Sequence, residues 1–267
     1  MKICVPIQPL CQESAMFPVI PIGPLSLPTA PFAVLLAIWL GLGVVGRVGR
    51  ELKVDADHLW NLGLLGLGAG FIVARLWHVV QFWAIYRIDL LLIVSPRPGA
   101  FTFWPGFVAA LIVAYGYLIW KRLDPVRVGA ALAVGLLVAG GILEIGAFLT
   151  SSTVGVPSDL PWAIAVFDVK RHPVALYRAA GMFVLAAALF WKGDFRQPGR
   201  FIGWVVLGYA LLRLLADGFL AETSTIGEIR VVQVAALAVT LGAVLLLSRS
   251  ALNDSSRVEE VPYKHPT

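Results

Sequence analysis

Seven stretches of roughly twenty mostly apolar residues run through this chain, the length an α-helix needs to cross a hydrocarbon core of about 30 Å. They cover 25–46, 59–83, 101–120, 128–149, 173–191, 201–220 and 229–248. Each is apolar around most of its circumference, as a helix in lipid has to be. Arg75 interrupts the second stretch, and Pro28 and Pro31 predict an irregular opening turn for the first. Composition points the same way. Only 14% of residues are charged and 59% are hydrophobic, where a soluble domain carries about a quarter charged. A water-soluble globule and an intrinsically disordered chain are both excluded. Two cysteines are too few for a disulfide-stapled secreted scaffold. The expected fold is an all-α polytopic membrane protein of seven transmembrane helices, one domain over 1–248 with a disordered cytoplasmic tail over 249–267.

The cations set an orientation. Connections after the first, third and fifth stretches hold nine: Arg47, Arg50, Lys53, Lys121, Arg122, Arg127, Lys192, Arg196 and Arg200. Those after the second, fourth and sixth hold five: Arg87, Arg97, Lys170, Arg171 and Arg230. The N-terminus is therefore expected outside and the C-terminus in the cytoplasm. Residues 1–22 lack the continuous apolar run of a cleavable signal peptide. Cys4 and Cys11 then lie outside, either as a disulfide or as two ordinary thiols. The net charge of +5 is largely this inside bias, so no nucleic-acid partner is expected.

Five charges break the apolar pattern: Arg75, Glu144, Arg178, Arg213 and Asp217. Each costs about 2.5–3.5 kcal/mol to insert, which marks them as functional candidates. Counted from the nearest outer end at 1.5 Å per residue, all lie within roughly 12 Å of the outer boundary. A polar cavity opening outward explains that one-sidedness; ion pairs that merely hold helices together are the plainer alternative. Arg213 and Asp217 are spaced i, i+4 and Arg75 and His78 i, i+3, so each pair shares a helix face. Three cations against two anions leave a positive excess. Arginine suits bidentate phosphate recognition, so a phospholipid headgroup is the expected ligand. Gly63, Gly66, Gly68 and Gly70 are read as close helix packing rather than a phosphate loop.

The segment from Arg171 to Tyr177 opens the fifth span with His172-Pro173. Proline suits a first helical turn, which places His172 at the cap and Tyr177 one turn deeper, where they meet only loosely. His172 can move protons near neutral pH, and Tyr177 can donate to a phosphate or ester oxygen. A solvated histidine and an interfacial anchor tyrosine are the alternative.

His172-Pro173-Val174-Ala175-Leu176-Tyr177 resembles the fifth-span motif of prolipoprotein diacylglyceryl transferases. Other segments agree in order. Ile22-Gly23-Pro24-Leu25-Ser26-Leu27 resembles the family's entry to span one, and Arg75 falls where its Gly-Arg pair begins the outer part of span two. The loop from Gly155 through Pro157 to Pro161-Trp162-Ala163 is similar to the family's Gly-x-Pro-Thr…Pro-Trp-Ala. Gly208-Tyr209…Arg213 resembles its sixth-span stretch, with Asp217 for the usual Glu, and Gln233 matches the start of span seven. The likeness covers about 22–247. Other positions depart from the pattern. The family's His-Gly-Gly reads Trp104-Pro105-Gly106, its Arg-x-Gly-Asn reads Glu144-Ile145-Gly146-Ala147, and the Glu after Leu-Tyr is Arg178.

The resemblance implies transfer of a diacylglyceryl group from phosphatidylglycerol, or a similar anionic phospholipid, to a prolipoprotein cysteine thiol at the outer leaflet of the plasma membrane. Arginines would stabilise the departing phosphate, and no metal or organic cofactor is implied. It marks His172, Tyr177 and Arg213 as catalytic candidates. Arg75, Arg178, Arg213 and Gly155 are the lipid-binding candidates, and Glu144, Arg178 and Asp217 the ion-pairing ones. If a base is needed, His78 and His172 are the candidates; His172 is preferred, and His78 reads as a core or interfacial residue. Glu144 and Arg178 reverse the family's charges, which predicts a salt bridge of opposite polarity. A catalytically inactive relative that binds lipid or a partner stays open beside the enzyme. A retinal protein is disfavoured, since 229–248 holds no lysine, and outward charges fit a transporter poorly.

Overall fold

Thr29 opens the first span, its hydroxyl donating to the Phe17 carbonyl and its amide to that of Pro18. The computed structural model describes residues 17–22, 25–94, 101–166, 168–221, 225–226 and 229–259; Cys4, Cys11 and the end of the tail lie outside them. Before Thr29, β1 (Val19–Ile22) pairs antiparallel with β2 (Leu25–Pro28). The expected irregular turn is therefore an abrupt start. Pro28 ends a strand, and Pro31 sits in the first turn of α1 (Thr29–Glu51), where its missing N–H costs nothing.

The next span, α2 (Ala56–Gln81), is capped by the Asp55 carboxylate, which accepts from the Asp57 amide at 3.0 Å. It passes Arg75 without a break. A short helix α3 (Trp83–Tyr86) and a 3-10 turn (Leu90–Ile93) follow. Then come α4 (Phe103–Lys121) and α5 (Pro125–Leu149), joined by three residues, of which Asp124 caps Val126 at 2.9 Å. Beyond the hairpin of β3 (Ile164–Val166) and β4 (Val169–Arg171), α6 runs Val174–Lys192. Helix α7 (Pro198–Ala216) tightens into the 3-10 turn Asp217–Phe219. After the hairpin of β5 (Thr225–Ile226) and β6 (Ile229–Arg230), α8 runs Val231–Glu259, past the expected end of the seventh span. Helices α1, α2 and α4–α8 are long and apolar enough to cross a membrane, the seven spans expected. Their outward faces carry large apolar side chains such as Trp39, Val184 and Leu246, at 64%, 68% and 70% exposure. That is a surface for lipid, not for water.

Contacts divide the chain into two compact units. One takes the described residues up to Gly41, Leu136–Lys192 and those from Gly203 on; the other takes those of Leu42–Gly135 and Gly193–Ile202. In the second unit α2 crosses α4 with almost nothing between the backbones. A Cβ on Gly106 would lie 2.6 Å from the Gly70 oxygen and 2.7 Å from Ala74 Cβ. The packing reading of the α2 glycines holds for Gly63, Gly66 and Gly70, which face Leu42, Ala110 and Gly106; Gly68 faces nothing within 4 Å. In the first unit, small residues again let helices close up. Gly140 and Gly141 of α5 admit Met182 and Phe183 of α6, and Gly208 of α7 admits Leu185. This packing carries the charges of α5, α6 and α7 toward one another.

Candidate functional site

Four of the five charges found within the spans, from three helices, come together in the first unit. Arg178 donates from Nε to Asp217 Oδ1 at 2.8 Å, from Nη2 to the same oxygen, and from Nη1 to Glu144 Oε1 at 3.4 Å. Arg213 pairs with Asp217 Oδ2 at 2.9 Å across one helical turn, and reaches Glu144 Oε1 at 3.9 Å. The expected Glu144–Arg178 salt bridge is thus present. So is the Arg213–Asp217 pair.

Burial separates the four. The side chain of Asp217 is 1% exposed, Arg178 7%, Glu144 14% and Arg213 27%. All three guanidinium nitrogens of Arg178 are engaged inside the network. Arg213 Nη2 makes no hydrogen bond among the described residues and belongs to the most exposed member. Two cations against two anions make this group neutral, so the positive excess expected from the sequence does not reside within it. Glu144 Oε2 and Asp217 Oδ2 are both buried with no hydrogen-bond partner among the described residues, although the latter is ion-paired with Arg213 Nε at 2.9 Å. A buried acceptor of that kind calls for a water or an incoming hydroxyl.

The second cluster adjoins the first through α6. Tyr177, the neighbour of Arg178, brings its hydroxyl to 3.2 Å from His172 Nδ1 and accepts from Trp162 Nε1 at 2.9 Å. The sequence predicts only a loose meeting of His172 and Tyr177. The direct contact arises because the cap is Pro173, not His172: the amides of Leu176 and Tyr177 both donate to the Pro173 carbonyl. His172 therefore stays in extended chain, and its ring turns back over the first turn. It also packs on Phe219, with centroids 4.8 Å apart, two residues beyond Asp217.

An extended segment holds both clusters in place. Residues 154–158 lie between the chain entering α6 and the chain leaving α7. Val156 donates to Phe219 O at 2.8 Å and Ala221 to Val154 O at 3.0 Å. On the other side His172 donates to Val156 O at 3.1 Å and Ser158 to Lys170 O at 2.9 Å. Gly155 is buried in the middle, where any side chain would strike the His172 carbonyl. Arg171 donates to Gly155 O at 3.2 Å, and Arg230 to Gly218 O at 3.1 Å. Gln233 lies against Gly218.

Arg75 belongs to the second unit. At 8% exposure it donates to the carbonyls of Ile93 (3.0 Å) and Leu92, with the rings of Tyr86 and Phe101 5.4 and 5.5 Å from its guanidinium carbon. His78 packs against Phe82 at 4.6 Å and edge-on to Tyr86 at 6.2 Å, a ring among rings. Sequence reasoning misses Phe219, counts Arg171 and Arg230 only as loop cations, and names Trp162 without its partner. Nothing in helical periodicity signals contacts made by chain between helices.

The chain matches the family described as prolipoprotein diacylglyceryl transferase over residues 18–249. It is similar to phosphatidylglycerol–prolipoprotein diacylglyceryl transferases of several bacteria. The one from Finegoldia magna is 25% identical, over 80% of this chain and 87% of the relative. That of Clostridioides difficile is 24% identical, over 80% and 88%. That of Gloeobacter violaceus is 26% identical, over 90% and 96%. Order of motifs, seven spans and near full-length coverage agree, and the chain belongs to the prolipoprotein diacylglyceryl transferase family.

Proposed function

We propose that this multi-pass plasma-membrane protein is a phosphatidylglycerol:prolipoprotein diacylglyceryl transferase acting at the outer leaflet. The observation that carries the proposal is the family match across nearly all of the membrane-spanning chain. Nothing in the relatives' likeness favours the catalytically inactive alternative. In the transfer, the prolipoprotein thiol sulfur bonds to the glycerol carbon of the lipid. The bond from that carbon to the phosphate oxygen breaks, its electron pair leaves with the phosphate, and the thiol proton ends on the released glycerol phosphate.

Charge builds on the departing phosphate, so groups aimed there lower the barrier most. Arg213 suits that role, because it stays ion-paired to Asp217 at 2.9 Å while its Nη2 makes no hydrogen bond among the described residues. Arg178, engaged on every nitrogen, serves the anion by holding Asp217, and so Arg213, in register. His172, in contact with Tyr177 at the start of α6, supplies a polar group beside the departing phosphate. Gly155 contributes by leaving room for the His172 backbone. Arg75 orders residues 92 and 93 in its own unit, and its charge favours an anionic lipid.

A turnover assay tests this directly. Purified protein is incubated with phosphatidylglycerol and a peptide carrying the acceptor cysteine, and glycerol phosphate is measured. Release that falls with Arg213→Ala and His172→Ala is the expected result. Lipid binding with no release by the unaltered protein would overturn the proposal.

A further inference from the structure

The Tyr177 hydroxyl sits between two nitrogens of different character. Trp162 Nε1 is 2.9 Å away and His172 Nδ1 is 3.2 Å away. An indole N–H only donates, whereas an imidazole nitrogen donates or accepts according to tautomer. The phenol oxygen therefore accepts from Trp162 in every arrangement. That leaves two patterns for the other contact. In one, Tyr177 donates its proton to His172 Nδ1, and each group has a matched partner. In the other, His172 Nδ1–H donates to Tyr177, whose oxygen then accepts two hydrogen bonds. Its own O–H is left with no acceptor among the described residues.

The geometry points to a one-way chain, Trp162→Tyr177→His172, that fixes neutral His172 in the tautomer protonated at Nε2. Trp162 is then a positioning residue acting on the histidine through Tyr177. The ring packs on Phe219 at 4.8 Å, and its backbone is held by the His172 amide donating to Val156 O at 3.1 Å. What remained to be set is where its proton lies, and the indole sets it. Nε2 has no hydrogen-bond partner among the described residues and carries the proton.

This rests on the proposed transferase reading for its consequence, though not for the tautomer itself. An Nε2–H histidine cannot take the thiol proton at that nitrogen. It donates a hydrogen bond to a phosphate oxygen of the lipid, and His172 becomes a stabiliser of the leaving group. The thiol proton passes to the released phosphate, which keeps the transfer balanced without a protein base.

Solid-state nitrogen NMR of histidine-labelled protein in phosphatidylglycerol bilayers, at alkaline pH so that histidine is neutral, reads the tautomer without turnover. The expected result is a single Nε2–H form for His172 in the native protein, assigned by its loss in His172→Gln. In Trp162→Phe the oxygen has a spare lone pair, and an Nδ1–H form appears beside the first. Trp162 is 57% exposed, so this variant retains the fold. Its kcat for glycerol phosphate release falls with KM little changed, in proportion to the share of His172 that has left the Nε2–H form. An Nδ1–H form in the native protein, or an unchanged spectrum in Trp162→Phe, overturns the inference. Native Nε2–H with the shift in Trp162→Phe but no transferase activity sustains the chain and overturns only the transferase reading.

Discussion

Asp217 is the most deeply withdrawn charge in the site, and it tolerates burial because Arg178 and Arg213 address different oxygens of its carboxylate. Removing either arginine should therefore have unequal effects. Arg178→Met strips Asp217 of its closest partner and Glu144 of its hydrogen bond, leaving buried charge uncompensated at a cost of about 3–5 kcal/mol. Arg213 is more exposed, and in Arg213→Ala Arg178 still neutralises Asp217, so the loss of stability is nearer about 1 kcal/mol. Its loss of turnover is far larger, about 10²-fold or more, because the donor we propose for the departing phosphate is gone. Thermal unfolding in detergent and glycerol phosphate release measure the two effects separately. Equal loss of stability in both variants would contradict the division of roles drawn from their burial.

The extended segment 154–158 and the helix starts it joins are where local structure decides the site. Gly155 has no room for a methyl group, because the His172 carbonyl occupies that space. The neighbour is backbone and cannot rotate away. Gly155→Ala should cost about 1–3 kcal/mol by overpacking and shift the chain at His172. Turnover should fall further than stability, read by the same two assays; native activity with an unchanged melting curve would show that the contact yields. These elements also mark how far the sequence is legible. The spans are, since length and apolarity alone define a helix in lipid. The Glu144–Arg178 bridge is too, because two positions depart from the family pattern with opposite signs. The extended segment 154–158 is not. Its partners at 170–172 and 219–221 are distant in sequence, and pairing of that kind leaves no periodic trace. The cap at Pro173 moves by one residue for a related reason. Proline is acceptable either at the cap or just inside the helix, and only the paired chain before it selects one.

At the scale of the whole molecule, seven spans alternate direction, so one decision about the first fixes the side on which every connection lies. Cations supply that decision, with nine on one set of connections against five on the other. We propose on this ground that the loop holding Gly155, Trp162 and His172 faces outward, and that the α6–α7 connection with Lys192 and Arg196 is cytoplasmic. Asp159 and Asp194 are exposed residues on the two sets of connections. In a Cys4→Ser, Cys11→Ser background, Asp159→Cys should react with an impermeant maleimide added to intact cells. Asp194→Cys should react only after the membrane is opened. The opposite pattern would overturn the orientation, and with it the outer leaflet as the place of transfer. The outward result has a further consequence for the charges. Cationic connections stay in cytoplasmic water and act through their number, which makes each one individually replaceable. Glu144, Arg178, Arg213 and Asp217 act through position, near the other face, and Arg178 and Asp217 in particular have partners that no neighbouring residue can supply.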